Sequence, residues 1–379
     1  MRILIAPDKF AGTLTALEAA AAIADGWRRT SPDDLLVEVP LADGGPGFLD
    51  VLHASLGGEL FPVTVAGPLR APVPATVLVV EGTAYVESAQ ACGLHLVPSA
   101  SRDPRLTTSS GVGALVAAAV AAGAHRVVVG LGGSGTNDAG AGLLAALGAH
   151  AVGADGSDLT DLLAGGGAGL RGIAHVDLAP ARAALDGIEV VVATDVDNPL
   201  LGLRGATNGF APQKGAHDAA VMELEGSLEA FAAAVGRRPD GKDPSVALGA
   251  GAAGGLGYAL MALGATRVPG IATVLDAVDL AGRIAASDLV VTGEGAFDWA
   301  SLRGKVVSGV AEASLAQGRG CVVLAGRVEV GRREYAALGV SAAYSVVDSV
   351  GSIDAALADP AARLADLAER IARTWGGSG

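Results

Sequence analysis

The chain begins with Met1-Arg-Ile-Leu-Ile-Ala-Pro-Asp-Lys-Phe10, a short apolar run that ends at a proline and two charged residues. The run from Arg2 to Pro7 predicts a first β-strand, because it is too short and too soon interrupted to form a signal segment. Thr15-Ala-Leu-Glu18 reads as a capping box and predicts a helix through the alanine-rich segment to Arg29. This order of strand, loop and helix is typical of an α/β fold.

Further apolar runs repeat the pattern near both ends of the chain. The predicted strands are Leu36 to Leu41, Asp288 to Thr292, Gly320 to Ala325 and Ala342 to Val347, and the predicted helices are Val306 to Gln317 and Ile353 to Arg373. Continuous β-branched runs are those buried on both faces of a parallel sheet. Two strands from the start and three from the end predict one flavodoxin-like, doubly wound parallel sheet.

The middle of the chain differs, with hairpin-like strands followed by helix–strand units and long glycine loops. The predicted hairpin strands are Leu60 to Val65, Thr76 to Val80 and Ala84 to Glu87. We therefore predict a discontinuous flavodoxin-like domain over residues 1–59 and 282–379, interrupted by an inserted α/β domain over residues 60–281. Within the insertion, Gly153 to Gly172 is expected to be an exposed excursion, and Ala247 to Ala265 a glycine loop that runs into a buried helix.

Composition narrows the classes of partner. The 379 residues carry a formal net charge of -14, which opposes binding to nucleic acid or to an anionic membrane. Any bound phosphate must therefore be held locally, by backbone amides, single cations or a metal ion. Cys92 and Cys321 are the only cysteines and indicate reduced thiols, so a cytoplasmic location is expected.

Charged residues follow the predicted strands of the flavodoxin-like sheet. Asp8 and Lys9 come after the first strand, Asp43 after the second and Glu294 after the third. Ligands of open α/β sheets bind beyond the carboxyl ends of the strands, which favours function over solvated turns at these positions. The segment Ser301-Leu302-Arg303-Gly304-Lys305 adds further polar groups at the same edge.

The densest motif is Val127-Val-Val-Gly130-Leu-Gly132-Gly133-Ser134-Gly135-Thr136-Asn137-Asp138. A strand enters a glycine turn whose amides and hydroxyls can cradle phosphate. Gly130, Gly132 and Gly135 also fit the GxGxxG pattern, with Asp155 at a plausible distance, so a dinucleotide site is the alternative. That signal is weak, because Gly249, Gly251 and Gly254 have the same spacing.

Two other segments carry polar groups suited to an ionic ligand. Thr194-Asp195-Val196-Asp197-Asn198 follows an apolar strand, and such carboxylates bind Mg²⁺ or accept a proton from a hydroxyl. Pro212-Gln213-Lys214-Gly215 offers an amide and an amine for a carboxylate or phosphate. No GxxxxGK[ST] sequence is present, so a Walker P-loop is excluded, and kinase chemistry would need another architecture.

Taken together, these residues resemble the bacterial type-1 glycerate kinases that phosphorylate the 2-hydroxyl. The resemblance extends over nearly the whole chain. Its blocks are Ala6-Pro-Asp-Lys-Phe10, Pro40-Leu-Ala-Asp-Gly-Gly45, Glu87-Ser-Ala-Gln-Ala-Cys-Gly-Leu94, Gly130-Leu-Gly-Gly-Ser134 with Thr136-Asn-Asp138, Ala193-Thr-Asp-Val-Asp-Asn-Pro-Leu200, Pro212-Gln-Lys-Gly215, Gly251-Ala-Ala-Gly-Gly-Leu-Gly257 and Thr292-Gly-Glu-Gly295. Three positions depart from the pattern: Ala11 stands where lysine is usual, Pro46 where an acid is expected and Gly135 where alanine is usual.

The resemblance implies a flavodoxin-like domain interrupted by a second α/β domain, with the site in the cleft between them. It also implies conversion of D-glycerate to 2-phosphoglycerate with ATP and Mg²⁺, in a monomer or homodimer. The predicted catalytic residues are Asp195, Lys9 and Asp43, of which Asp43 and Asp195 are also the predicted metal ligands. The predicted substrate-binding residues are Asp8, Asp197, Asn198, Gln213, Lys214 and Glu294, and the predicted cofactor-binding residues are Gly132, Gly133, Ser134, Thr136, Asn137 and Asp138.

Several alternatives stay open at the level of sequence. The proton acceptor could be any of Asp43, Asp195 and Asp197. The substrate could be another small hydroxy acid, and the phosphorylated hydroxyl could be the 3-hydroxyl. A dinucleotide-dependent oxidoreductase and a non-catalytic sensor of a small acid are the rival classes, although bunched carboxylates speak against a sensor because burying them is costly without a metal or a reaction.

Overall fold

The computed structural model describes residues 1–10, 12–302 and 304–376. Ala11 and Arg303, both noted above, lie outside the described residues. Within the described ranges the chain forms thirteen strands: β1 (Arg2–Ile5), β2 (Leu35–Glu38), β3 (Glu59–Ala66), β4 (Pro72–Val80), β5 (Thr83–Glu87), β6 (Arg126–Gly130), β7 (His150–Val152), β8 (His175–Asp177), β9 (Glu189–Ala193), β10 (Thr266–Val268), β11 (Leu289–Phe297), β12 (Gly320–Val328) and β13 (Val340–Ser345).

The same ranges form seventeen α-helices: α1 (Ala16–Thr30), α2 (Phe48–Leu56), α3 (Ala89–Cys92), α4 (Ser110–Ala121), α5 (Ala141–Ala146), α6 (Thr160–Leu163), α7 (Ala179–Ala183), α8 (Ala206–Phe210), α9 (Asp218–Val235), α10 (Leu256–Ala262), α11 (Gly270–Ala277), α12 (Leu280–Ala285), α13 (Val306–Ala316), α14 (Arg332–Ala337), α15 (Val346–Val350), α16 (Ile353–Ala358) and α17 (Pro360–Trp375). No helix in the described part of the chain is long and apolar enough to span a membrane. Cys92 and Cys321 are both free and buried, as predicted.

The chain divides into two compact units. The first unit comprises Met1–Asp43, Asp50–Gly57 and Ile271–Gly379, and it contains a five-stranded sheet in the order β13-β12-β11-β1-β2. All neighbouring strands of this sheet pair in parallel. Numbered along the unit, the order is 2-1-3-4-5, which is the flavodoxin-like order, so the predicted fold class is confirmed.

Helices cover the first sheet because their apolar residues recur at helical spacing. In α17, Leu364, Leu367, Ala368 and Ile371 are buried at positions i, i+3, i+4 and i+7. They join one core with residues of α1, including Trp27, which is fully buried. The capping box predicted at the start of α1 is confirmed, since the Thr15 and Glu18 side chains each accept a hydrogen bond from the other residue's backbone amide.

The second unit, Gly44–Leu49 and Gly58–Gly270, contains a six-stranded sheet in the order β10-β9-β6-β5-β4-β3. Strands β3, β4 and β5 pair antiparallel, as the hairpin-like runs predict, and β5, β6, β9 and β10 pair in parallel. The core of this unit is built mainly from alanine, valine and leucine. The buried helix predicted within Ala247 to Ala265 is α10.

Besides residues 58 and 59, two longer segments fall on the other side of the predicted domain limits. Residues 44–49 belong to the second unit because a Cβ at Gly130 or Gly132 would collide with the backbone of Gly44 or Gly45. Residues 271–281 belong to the first unit, where Ile271 and Leu275 of α11 pack beside Gly309 of α13.

Two predicted elements are wrong in detail. The single helix predicted over Ile353 to Arg373 is two helices, because Pro360 starts α17 and the Asp359 side chain caps it. The excursion predicted over Gly153 to Gly172 is not simply exposed: it contains α6, and Leu163 and Leu170 are fully buried in the core of the second unit. Leucines in a glycine-rich segment can supply such anchors without helical periodicity.

Candidate functional site

In the first unit, the candidate site lies where the strand order reverses between β1 and β11. The amide of Asp8 donates to the carbonyl of Gly293 at 2.8 Å, which fixes the loop after β1 beside the strand that carries Glu294. Asp8 and Glu294 are each only 8% exposed. The Asp8 carboxylate accepts the amide of Lys9 at 2.7 Å, whereas Oε1 of Glu294 is buried without a hydrogen-bond partner.

Burial controls the protonation of these two carboxyl groups. It raises the pKa of Asp8 to about 6, against the lowering effect of Lys9, while the charge of Asp43 raises it further. Burial likewise raises the pKa of Glu294 to about 7, where Ser301 and Lys305 oppose the shift and Asp8 adds to it. Carboxyl groups that titrate near neutrality can accept or return a proton during a reaction.

Cations complete this part of the first unit. Lys9 Nζ lies 3.9 Å from Asp43 Oδ1, and both side chains are about one-third exposed, at 32% and 31%. The sequence prediction did not assign Lys305, which interacts electrostatically with both Asp8 and Glu294. A signal for it was present, since Lys305 follows the loop after β11 and directly precedes α13.

Replacement of Glu294 by glutamine is expected to stabilise the protein above pH 7. Burial raises the pKa of Glu294 in the folded state, so this carboxyl group costs no stability below about pH 4.5, where it is protonated in both the folded and the unfolded protein. Above that pH the unfolded state is increasingly favoured, and the full cost is reached once the pH has passed about 7. The gain for Glu294→Gln should reach up to about 3 kcal/mol at high pH and shrink towards acidic pH.

Urea unfolding at several pH values checks this expectation, with Glu312→Gln as the matched control. Glu312 is an exposed residue of α13 in the same unit, so its variant should track the wild type at every pH. A Glu294→Gln protein that is no more stable than the wild type at about pH 8.5 would contradict the assigned burial cost.

In the second unit, the glycines after β6 are required by close packing. A Cβ at Gly130 would come within 2.7 Å of the Gly44 carbonyl oxygen, and one at Gly132 within 2.6 Å of Gly45 Cα. A Cβ at Gly133 would come within 2.8 Å of Pro46 Cγ. The Gly-Gly-Pro segment and the glycine loop thus interlock, which gives Pro46 a packing role.

The turn of this loop leaves amide donors available. Leu131 and Gly135 donate their amides to the carbonyls of Ala193 and Cys92, at 3.0 and 2.7 Å. Across residues 1–10, 12–302 and 304–376, no acceptor is found for the amides of Gly132, Gly133 and Ser134. A cavity of about 280 Å³ lies here, lined by Leu94, Leu131, Gly132, Gly133, Ser134, Val196, Phe210, Gln213, Lys214 and Ala253.

Lys214 is the cation of this cavity. It is only 3% exposed, and its Nζ donates to Ser134 Oγ at 3.0 Å and to the Thr136 carbonyl at 2.7 Å. Burial lowers the pKa of Lys214 to about 8, although the nearby Cys92 and Asp138 oppose the shift. The predicted residues Gly132, Gly133, Ser134, Gln213 and Lys214 are therefore brought together around one space.

Thr136, Asn137 and Asp138 are placed differently, because all three are fully buried. Asp138 accepts hydrogen bonds from the amide and hydroxyl of Ser109, both at 2.8 Å, and from the amides of Gly140 and Gly142 at 3.1 and 3.4 Å. The Asn137 side-chain amide donates to Thr207 Oγ1 at 3.1 Å. These contacts hold the loop in place, and the assignment of the three residues to cofactor binding stays a prediction.

The loop after β9 is organised by a cation that the sequence prediction missed. Arg267 Nη2 lies 2.6 Å from the exposed carboxylate of Asp197 and donates to the Thr194 carbonyl at 3.2 Å. Asn198 donates its side-chain amide to the Arg204 carbonyl at 2.7 Å, while Asp195 is partly buried between these anchored residues. The sequence analysis had no signal for Arg267, because the parallel pairing of β9 and β10 that brings it to this loop joins strands far apart in the chain.

The donor set for a metal ion is sparse. No group of three or more histidine, cysteine, aspartate or glutamate residues suited to a metal occurs in the part of the chain that is described. Mg²⁺ is usually held by one or two carboxylates together with substrate phosphates and water, so its chemistry does not require such a cluster. The assignment of Asp43 and Asp195 as metal ligands stays a prediction.

The glycine pattern and the acidic residue expected of a dinucleotide site have other roles in this structure. Gly130 and Gly132 of the pattern fit against Gly44 and Gly45, and a Cβ at Gly135 would come within 3.1 Å of Leu94 Cα. Asp155, the candidate ribose ligand, accepts the amide and the hydroxyl of Ser157 within a local turn, at 3.0 and 2.6 Å. Nothing in this geometry favours a dinucleotide.

Comparisons with known proteins identify relatives over the whole chain. Residues 3–376 match the model of the glycerate kinase family. Glycerate 2-kinase of Escherichia coli K12 is 39% identical over 380 residues, covering 99% of this chain and 98% of the relative. Glycerate kinase of Bacillus subtilis 168 is 39% identical over 376 residues, covering 98% and 96%. A crystal structure of a protein assigned as glycerate kinase 2 from Salmonella typhimurium LT2 has a TM-score of 0.83 at 37% identity and covers 99% of this chain and 98% of its own.

Proposed function

Because the chain belongs to the glycerate kinase family and phosphorylates glycerate, we propose that it transfers the γ-phosphate of ATP to the 2-hydroxyl of D-glycerate. The product is then 2-phosphoglycerate. The similarity to the E. coli relative, which is named as a 2-kinase and matched over 98% of its length, supports this regiochemistry.

The observation that carries the proposal is the cavity formed by Lys214 and the amides of Gly132, Gly133 and Ser134. It provides a built site for an anionic reactant without a nucleophilic side chain. Phosphoryl transfer asks mainly for positioning and for stabilisation of charge, so amides and single cations are sufficient protein groups.

Within this proposal, acidic residues and Lys9 bind the metal, accept the proton and offset charge. Asp43 and Asp195 would hold Mg²⁺, which when bound neutralises the negative charge of the phosphates. One of Asp43, Asp195 and Asp197 accepts the proton of the substrate hydroxyl. Lys9 offsets negative charge in the first unit, where it lies near Asp43. Asp8 and Glu294 contribute carboxyl groups whose protonation changes near neutral pH.

Incubation with Mg-ATP and D-glycerate, followed by phosphorus NMR, tests the proposal. The expected result is the appearance of 2-phosphoglycerate in step with ADP. Formation of 3-phosphoglycerate would overturn the regiochemistry, and turnover with tartronate or erythronate but not glycerate would overturn the substrate.

Fluorescence titration with NADH and with an ATP analogue separates a kinase from an oxidoreductase, since only the analogue should bind.

We place the enzyme in the cytoplasm on the strength of its two free, buried thiols, which suit a reducing compartment. That the enzyme acts as a monomer or a homodimer stays a prediction.

A further inference from the structure

We infer that the cavity bordered by Gly132, Gly133, Ser134 and Lys214 binds the carboxylate of the hydroxy acid and not the phosphates of ATP. This inference rests on the proposed function and reassigns the glycine loop from the nucleotide to the acid substrate. Four properties of the cavity support it: its size, its charge, its donors and its neighbours in sequence.

The cavity has room for a compact hydroxy acid. Its volume of about 280 Å³ is at the lower end of the roughly 300–1,000 Å³ that is usual for drug-sized ligands. A hydroxy acid is far smaller than a nucleoside triphosphate, which carries a base, a sugar and three phosphates, and it fits the available space.

The charge of the cavity matches a singly charged anion. Lys214 is the one charged side chain among the described residues that line it. Two buried groups, Asp138 and Cys92, lie close enough to Lys214 to interact with it, and an ionised Asp138 weakens the positive field. One partly offset ammonium suits a carboxylate, whereas a triphosphate calls for several cations or a metal.

The available donors suit an oxyanion. Three consecutive amides have no acceptor in the described chain, and Gly133 at the centre adopts a left-handed conformation with φ of +65°. Successive amides in such a turn form a concave anion-binding nest. Leu94, Leu131, Val196 and Phe210 supply apolar walls, which limit access of water and strengthen the charged hydrogen bonds.

The neighbours in sequence link this cavity to the proposed chemistry. Val196 lines the cavity and directly follows Asp195, the predicted catalytic carboxylate. A carboxylate held by the amides and Lys214 would therefore bring the adjacent hydroxyl of a 2-hydroxy acid towards the segment that carries Asp195. The cavity then selects acids in which the hydroxyl neighbours the carboxylate.

Isothermal titration calorimetry of D-glycerate and of Mg-AMP-PNP, each alone, tests the assignment in wild type, Lys214→Gln and Lys242→Gln. Lys214→Gln is expected to weaken D-glycerate binding at least about tenfold and to leave AMP-PNP affinity within about twofold. Lys242 is 79% exposed in the same unit, so its variant is the matched control and should bind both ligands normally. In wild type, glycerate affinity should fall as the pH rises through about 8, where Lys214 loses its proton.

A second readout avoids dependence on the folding of the Lys214 variant. In wild-type protein labelled with ¹⁵N-glycine, D-glycerate should shift the amide signals of Gly132 and Gly133, and AMP-PNP should not. Loss of AMP-PNP binding in Lys214→Gln with unchanged glycerate binding, or amide shifts with AMP-PNP alone, would overturn the inference. If wild type binds neither ligand, the proposed function fails and the inference falls with it.

Discussion

Asp195→Asn is expected to phosphorylate glycerate at least about 100-fold more slowly than the wild type. Asp195 follows β9 in a loop held by the contacts of Arg267 with Thr194 and Asp197. Asparagine keeps the shape of the side chain but can neither accept the substrate proton nor supply the charge of a metal ligand. The measurement is kcat from coupled detection of ADP.

Dependence on the metal separates the two roles of Asp195. If Asp195 is a metal ligand, raised Mg²⁺ or substitution by Mn²⁺ should restore part of the lost rate of Asp195→Asn, whereas loss of a base is insensitive to metal. Asp186→Asn is the matched control, because Asp186 is exposed ahead of β9 and should leave turnover unchanged. Near-normal kcat for Asp195→Asn would remove this residue from the mechanism.

The architecture of the first unit could be predicted because its signals are local. The apolar runs that form β1, β2, β11, β12 and β13 are short, continuous and followed by polar loops. Parallel strands buried on both faces have this pattern. The rules for connections between parallel strands leave few possible strand orders for a sheet made of two strands from the start of the chain and three from its end. The limits of the two units were harder to predict, since they depend on contacts such as those of Gly44 and Gly45 with the distant glycine loop.

The candidate site was predicted less completely, because partners distant in sequence define it. Asp8, Lys9, Asp43 and Glu294 could be found from their positions after strands. Sequence spacing does not reveal that Lys305 interacts with both Asp8 and Glu294.

Burial and long-range contacts of polar side chains are also difficult to predict from sequence. Thr136, Asn137 and Asp138 were predicted to bind the cofactor, and the structure places all three in fully buried positions. Arg267 was not predicted at all, because its contact with Asp197 joins the ends of two strands far apart in the chain.

Gly254→Ala is expected to lower the stability of the second unit by about 3–5 kcal/mol and to abolish glycerate binding. Gly254 has φ of +71°, and an added Cβ would collide with the Thr136 carbonyl and approach Asn137 Cα to 2.9 Å. That carbonyl accepts a hydrogen bond from Lys214 Nζ at 2.7 Å, so relief of the collision must displace the partner that positions the ammonium. Packing and ligand binding should therefore be lost together.

Gly123→Ala separates the collision from the cost of the left-handed backbone. Gly123 has φ of +83° and no atom within 4 Å of an added Cβ, so its alanine variant carries the backbone strain alone, about 1–2 kcal/mol. Urea unfolding should place Gly254→Ala well below Gly123→Ala, and calorimetry should show normal glycerate affinity for Gly123→Ala only. Equal stabilities for the two variants would mean that the Thr136 carbonyl can move freely, and Lys214 could then not be held by a rigid loop.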